Sequence, residues 1–278
     1  MIEKRAFTLI ELLVVISIIA LLLSILMPSL QKAKELASAS VCLNNQKSLT
    51  VAYRMYADDT NDKVPSLPFG YEGGWVDVPQ DDAGNSVNIN AASLENRINA
   101  IGKGSLYSYI ESHKAYHCNG DRRLVKGTSR GNNLRHQIYV SYALPDGLLI
   151  NPNRNELLWD PDQKSYAFIK ITSIKQPAQS YLFLEDGYDG KADSNYGWSF
   201  KYTMGRSNPN GWEWWDPMGA YHTDGCTFSY VDGHAEKYKW KDSRSVQYFE
   251  DRESMDRSQA GENNEDIGYM LRSYPRVD

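Results

Sequence analysis

The sequence lacks two common signatures of catalysis, the phosphate-binding loop Gly-x-x-x-x-Gly-Lys-Ser/Thr and the zinc-protease motif His-Glu-x-x-His. Asp and Glu are abundant, but charged residues mostly solvate a protein surface. We therefore expect that the protein is not an enzyme.

The sequence also lacks an excess of positive charge. Lys and Arg number 30 against 35 Asp and Glu, so the formal net charge is −5. Nucleic-acid-binding domains carry basic patches that neutralise phosphates. We therefore expect no nucleic-acid partner.

Charge is almost absent from one N-terminal stretch. Phe7–Met27 spans 21 residues and carries a single charged side chain, Glu11. About 20 apolar residues in a helix cross the hydrocarbon core of a bilayer, and a helix pairs its own backbone groups. Lys4 and Arg5 precede the run, and positive residues favour the cytoplasmic side. The pattern predicts one transmembrane helix with a cytoplasmic N-terminus.

Glu11 is the exception within this run. A carboxylate in hydrocarbon costs about 2.5 kcal/mol or more unless it reaches the interface or a partner. A position near the membrane surface is one explanation. The other is a cleavage between Ala6 and Phe7, because the new amine of Phe7 on a neighbouring subunit would pair with Glu11.

The residues Lys4-Arg5-Ala6-Phe7-Thr8-Leu9-Ile10-Glu11 resemble the cleavage and methylation signal of type IV prepilins and type II secretion pseudopilins. In that family a short basic leader is removed before a Phe, the new amine is N-methylated, and a Glu stands at mature position five. Glu11 is the fifth residue counted from Phe7. Pro28 stands where family members often carry a helix-kinking proline. Ala6 departs from the usual Gly, which predicts slower cleavage.

The resemblance implies partners and a location. The partners would be other pilin or pseudopilin subunits, a prepilin peptidase/methyltransferase and the bacterial inner membrane. Residues 1–6 would be a leader, residues 7–57 a transmembrane and assembly helix, and residues 58–278 a periplasmic or extracellular globular domain. The protein would be a structural subunit of a type IV pilus-like filament or of a type II secretion pseudopilus.

The residues after the apolar run predict that the helix continues to about Tyr56. No Gly or Pro occurs between Gln31 and Ala57, and Pro28 predicts a bend near Ser24–Pro28. One helical face collects the residues Cys42, Leu49, Ala52, Tyr53 and Tyr56. The second half of the helix is therefore amphipathic.

The rest of the chain predicts strands and turns. Asp232-Gly233 separates two alternating runs, which is typical of a hairpin over 222–240. Other strand-like runs are Trp75–Val78, Gln137–Leu144, Ala167–Ile174 and Ser180–Glu185. Together with the resemblance, these patterns predict an α+β, pilin-like fold. Its long N-terminal helix packs on an antiparallel sheet with long loop insertions.

Cysteine is scarce and shows no Cys-x-x-Cys spacing of the kind found in zinc sites. A Cys42–Cys118 disulfide would tie the helix to the globular domain and leave Cys226 as a free thiol. Three buried thiols are an equally open alternative, because cysteine is among the most buried residue types.

A second resemblance lies near the C-terminus. Nine residues separate His222 from Asp232-Gly233, as in the His-x9-Asp-Gly element of a large group of prepilin-like proteins. That resemblance implies a pilin-like domain and no established activity. From the residues alone, Asp232-Gly233 is a hairpin turn, and His222 anchors a loop through a hydrogen bond.

A metal site is the alternative for the same region. Asp232 and His234, with Glu185 or Asp186 from a neighbouring strand end, would offer ligands to Ca²⁺ or a transition metal. Major secretion pseudopilins carry a structural calcium in their C-terminal loops, so the resemblance favours Ca²⁺. The structural interpretation remains the favoured one, and it requires no cofactor.

The insertion at about 188–220 is rich in Gly, Asn and Trp. Its aromatic cluster comprises Trp198, Trp212, Trp214 and Trp215. Exposed aromatic rings would stack on sugars or meet a partner, whereas buried rings would form a small core of the insertion itself. The first possibility gives the alternative function, a membrane-anchored surface protein that binds a glycan or a secreted substrate.

Overall fold

We describe the fold from a computed structural model of the chain. The residues that it describes are 8–66, 74–88, 91–121, 139–145, 148, 170–187, 197–198, 200–202, 212–214, 216–223, 225–250 and 255–275.

The long N-terminal helix α1 runs from Leu9 to Asp59 and passes through Pro28 without interruption. Its 51 residues span about 75 Å at 1.5 Å per residue. The apolar first part is long enough to cross a membrane, and none of it is buried against the protein. Burial on α1 begins at Ala39. The predicted amphipathic face is confirmed, because Cys42, Leu49, Ala52 and Tyr53 are all buried.

Short helices and strands follow α1. The helices are α2 (Leu94–Lys103), α3 (Tyr107–Ile110), α4 (Ser243–Glu250), α5 (Arg257–Gly261) and α6 (Glu265–Arg272), with 3₁₀ turns at His113–Tyr116, Ile171–Ser173 and Pro177–Gln179. The strands are β1 (Tyr142–Pro145), β2 (Tyr181–Glu185), β3 (Gly197–Trp198), β4 (Phe200–Tyr202), β5 (Trp212–Trp214), β6 (Gly225–Tyr230) and β7 (Ala235–Lys239).

The main sheet has the order β3-β1-β2-β6-β7. Strands β1, β2, β6 and β7 pair antiparallel, and the two-residue strand β3 is parallel to β1 at the edge. Strands β4 and β5 form a separate antiparallel pair. The structure therefore confirms the α+β class, with a long helix and an antiparallel sheet of four strands.

Alternation along β6 sends its side chains to two different layers, as expected for a strand. Cys226 and Phe228 belong to the core beneath the C-terminal helices. Thr227 and Ser229 meet α1, where the Gln46 amide donates to the Thr227 carbonyl over 2.8 Å and Thr50 donates to the Ser229 hydroxyl over 2.8 Å. The sheet thus lies between α1 and the C-terminal helices.

Three strand predictions were wrong or only partly right. Trp75 lies in a bend rather than a strand, stacked on Tyr116 with ring centroids 5.8 Å apart. Ile171–Ser173 is a 3₁₀ turn within the run predicted as extended. Strand β1 begins only at Tyr142, and the start of the predicted run lies outside the described residues. Burial of the Trp75 ring against Tyr116 and Phe183 outweighs local strand preference at this position.

Candidate functional site

The first functional segment is the start of α1. Thr8 is the N-cap residue, and its backbone N–H and its hydroxyl each donate to Glu11 Oε2 over 2.8 Å. The Glu11 backbone N–H in turn donates to the Thr8 hydroxyl over 3.2 Å. This reciprocal pair is a capping box, which satisfies backbone donors that a helix start leaves unpaired. Ala6 and Phe7 lie outside the described residues.

The capping box gives Glu11 a partner in its own chain. The sequence pattern had suggested only the membrane surface or a neighbouring subunit as the partner of this carboxylate. The pattern Thr-x-x-Glu before an apolar run signals a capping box and would have shown this third role. An experiment on Glu11 must therefore separate the effect of its negative charge from the effect of its hydrogen bonds in the capping box.

The second segment is a disulfide between Cys42 on α1 and Cys118 in the globular domain, with Cα atoms 5.3 Å apart and a sequence separation of 76 positions. This separation falls within the range of ordinary disulfides. Cys226 is a buried free thiol. Burial raises the pKa of the Cys226 thiol well above its usual value, and the negative charge of Glu185 adds to this shift. Cys226 therefore stays a protonated thiol inside the core.

A buried polar pair lies directly against the disulfide. His222 Nε2 is 2.9 Å from Glu185 Oε1, and both side chains are completely buried. Sγ of Cys118 lies 3.3 Å from the same His222 nitrogen and 3.4 Å from the same Glu185 oxygen. Burial raises the pKa of the nearby Tyr142 phenol, and the Glu185 charge raises it further.

Thr227 on β6 fixes the Glu185 carboxylate. Its hydroxyl donates to Oε1 over 2.7 Å, and its backbone N–H donates to Oε2 over 3.0 Å. Both carboxylate oxygens are therefore hydrogen-bonded inside the protein, as a buried carboxylate requires. The pair Glu185–His222 joins the end of β2 to the loop before β6.

The two parts of the His-x9-Asp-Gly element lie in different environments. His222 is buried and hydrogen-bonded to Glu185, and its backbone N–H donates to the Gly225 carbonyl over 3.2 Å. Asp232-Gly233 forms the turn between β6 and β7, and Gly233 adopts a positive φ of 103° that glycine tolerates. Each half thus has the structural position that the residues alone suggested.

The predicted metal group of Asp232, His234, Glu185 and Asp186 does not come together. His234 Nδ1 and Asp232 Oδ1 are 2.6 Å apart, but these side chains are 45% and 35% exposed. Antiparallel pairing sets Tyr181 opposite Tyr230, so Glu185 and Asp186 lie at the other end of β6 from the turn. The prediction failed because it placed the C-terminal ends of β2 and β6 together, whereas in an antiparallel pair these two ends lie at opposite edges.

A different group converges instead. Among the residues that the structure describes, Cys42, Cys118, Glu185 and His222 are the group of His, Cys, Asp or Glu whose ligand atoms all lie within 4.8 Å of one another. Sulfur and imidazole suit Zn²⁺ rather than Ca²⁺, which takes six or more oxygen ligands. Sequence spacing could not reveal this group, because its members come from four distant segments.

Strand β5, which belongs to the Trp-rich insertion, packs against the C-terminal helices α5 and α6. Trp214 is fully buried, and its ring centroid lies 4.9 Å from Phe249 and 5.8 Å from Trp240. It is therefore a core residue and not an exposed binding ring. Trp212 is half-buried, Trp198 lies in β3, and Trp215 falls outside the described residues.

A short match to the serine-hydrolase pattern Gly-x-Ser-x-Gly occurs at Gly127-Thr128-Ser129-Arg130-Gly131. These residues lie outside the described part of the chain. The pattern carries catalytic meaning only on a strand–turn–helix elbow with His and acidic partners, so the five letters alone support no activity.

Comparison with known proteins identifies the N-terminal segment. A family model described as the prokaryotic N-terminal methylation motif matches residues 1–27. No curated protein matches the chain. No solved structure matches it. The motif supports a type IV pilin-like N-terminus, and the apolar helix that it overlaps is long and apolar enough to cross a membrane.

Proposed function

We propose that the protein is a structural subunit of a type IV pilus-like filament or of a type II secretion pseudopilus. The observation that carries this proposal is the exposed first part of α1 within the matched motif. Every residue of this helix from Leu9 to Lys34 is exposed, and the first contact with the globular part is the hydrogen bond from the Thr223 hydroxyl to Glu35. Such an apolar helix needs lipid before assembly and neighbouring helices after it.

The proposed maturation begins with cleavage between Ala6 and Phe7 by a prepilin peptidase, followed by N-methylation of Phe7. Lys4 and Arg5 keep the leader in the cytoplasm, and the globular domain lies in the periplasm. The protein is then a single-pass protein of the bacterial inner membrane until it enters the filament. We propose a structural role for the protein and no catalytic one.

The proposed assembly step uses the charge of Glu11. Cleavage gives Phe7 a positive amine close to the carboxylate of Glu11 on an adjoining subunit. An ion pair in an apolar surrounding is favourable only when both partners are present, so the pair would fix the axial position of each new subunit. Pro28 lies at the end of the apolar run, and we expect local adjustment of the helix there during packing.

The rate of cleavage by a prepilin peptidase tests the first proposed step, the removal of residues 1–6. When the full chain is co-expressed with a prepilin peptidase, Ala6→Gly should be cleaved at least as fast as the natural sequence. Ala6→Leu should accumulate as uncut chain, because a branched side chain does not fit where the family has Gly. Ala20→Leu is the matched control, since it adds the same side chain within the apolar run and should be cleaved normally. The measurement is a time course of intact mass.

Normal cleavage of Ala6→Leu would contradict the proposed processing site. Uncut chain in every variant, the natural sequence included, would contradict processing altogether. The alternative function would then apply, a tethered protein that binds through its insertion. Trp214 is unavailable for that role, since its ring is enclosed by the C-terminal helices.

A further inference from the structure

Four side chains from separate parts of the chain meet at one buried point. Cys42 comes from α1, Cys118 follows a 3₁₀ turn, Glu185 ends β2 and His222 lies in the loop before β6. All four are completely buried. The disulfide uses two of them, and the other two aim a nitrogen and an oxygen at the same sulfur.

The distances in this cluster approach those of a tetrahedral zinc site. Ligand bonds of about 2.0 Å to nitrogen and oxygen and about 2.3 Å to sulfur place neighbouring ligand atoms about 3.3–3.8 Å apart. The observed separations are 2.9 Å between His222 Nε2 and Glu185 Oε1, 3.3 Å between that nitrogen and Cys118 Sγ, and 3.4 Å between that sulfur and the carboxylate. These three separations need to grow by about 0.4 Å or less to fit the ion, whereas the two sulfurs must move apart by about 1.7 Å once the disulfide is reduced.

The surroundings already orient these ligands. Thr227 holds both Glu185 oxygens, and the Gly120 backbone N–H donates to Cys118 Sγ over 3.3 Å. A Cβ at Gly120 would lie 2.9 Å from the His222 ring, so glycine allows the backbone to approach that ring. Hydrogen bonds of this kind to ligand atoms fix orientation in metal sites.

We propose that Cys42, Cys118, Glu185 and His222 form a Zn²⁺ site in the reduced protein, and that zinc and the disulfide are alternative states of the same site. A dithiol reductant would supply two electrons and two protons, converting the disulfide to two thiols and itself becoming a disulfide. Zinc would then bind both sulfurs as thiolates and release the two thiol protons to solvent.

The two states exclude each other because of the sulfur positions. A disulfide holds its sulfurs about 2.05 Å apart, whereas two thiolates on one zinc ion lie about 3.8 Å apart. Either state ties α1 to the globular domain across the same 76-residue separation. In the reduced chain, zinc therefore links α1 to the globular domain before any oxidant has formed the disulfide.

Metal content of the full chain in detergent tests the proposal. Oxidised and phosphine-reduced samples are incubated with excess ZnCl₂ and desalted, and zinc is counted by mass spectrometry. We expect zinc to rise from near zero in the oxidised sample to one ion per chain in the reduced sample. With CoCl₂ instead, we expect a sulfur-to-cobalt charge-transfer band and the strong visible bands of tetrahedral cobalt.

The zinc content of single-residue variants shows which side chains bind the metal. In the reduced state His222→Gln and Glu185→Gln should each lower zinc content at least tenfold at limiting zinc. Cys226→Ala and His234→Ala should still bind one ion, since the first removes a buried thiol outside the cluster and the second an exposed imidazole. The cobalt spectrum is recorded on the natural sequence, so this part of the test holds even if a variant fails to fold.

Reduced protein that retains no zinc would overturn the proposal. So would cobalt bound without a thiolate band, or full zinc content in His222→Gln. Equal zinc in the oxidised and reduced samples would also overturn it, because the ion would then be held elsewhere.

Discussion

Glu11→Gln should be cleaved and methylated normally yet fail to enter filaments. Glutamine keeps the capping box, since its side chain can still accept the hydrogen bonds from Thr8, but it removes the negative charge. Loss of one member of an ion pair in an apolar setting costs about 3 kcal/mol, which corresponds to about a hundredfold loss of incorporation. The measurement is the amount of protein in sheared filaments relative to that in membranes.

Thr8→Ala is the matched control. It removes the N-cap hydroxyl that contacts Glu11 and leaves the charge in place. We expect a helix end weakened by about 1 kcal/mol and filaments close to the natural yield. If Thr8→Ala loses as much assembly as Glu11→Gln, capping of its own helix explains Glu11. If Glu11→Gln assembles fully, the intersubunit charge pair does not exist.

The double variant Cys42→Ala/Cys118→Ala should lose about 4 kcal/mol of unfolding free energy in the absence of zinc. The disulfide closes a separation of 76 residues, and closing a loop of that length restricts the unfolded chain strongly. The helix and the globular domain would also lose the disulfide that joins them. Reversible urea unfolding of the full chain in detergent with a chelator present measures the loss.

Cys226→Ala is the control for this experiment. It removes a buried sulfur that belongs to no disulfide, so only a small cavity results and the loss should be about 1 kcal/mol. A double variant no less stable than Cys226→Ala would show that the disulfide adds nothing to the folded state.

Local patterns carried most of the fold prediction. The face of α1 that includes Cys42 and Leu49 repeats at helical spacing, and strand β2 and the turn at Asp232-Gly233 are bounded by short-range signals. Each of these features is determined by residues that are close to one another in the sequence. Trp75 was misassigned because its conformation depends on contacts with Tyr116 and Phe183, which are distant in sequence.

The buried cluster could be predicted only in part. The His-x9-Asp-Gly pattern includes His222, but its partner Glu185 lies 37 residues away at the end of β2. The direction in which two strands pair decides which end of β2 meets which end of β6, and the composition of either strand does not specify that direction. For this reason Glu185 was assigned to the wrong end of the sheet.

The N-terminus of the protein recovered from its native membranes or filaments tests the central proposal most directly. Mass spectrometry of the N-terminal peptide should find Phe7 as the first residue, carrying one N-methyl group. An N-terminal peptide that still begins at Met1 would contradict the proposal, because without the cut there is no Phe7 amine to pair with Glu11.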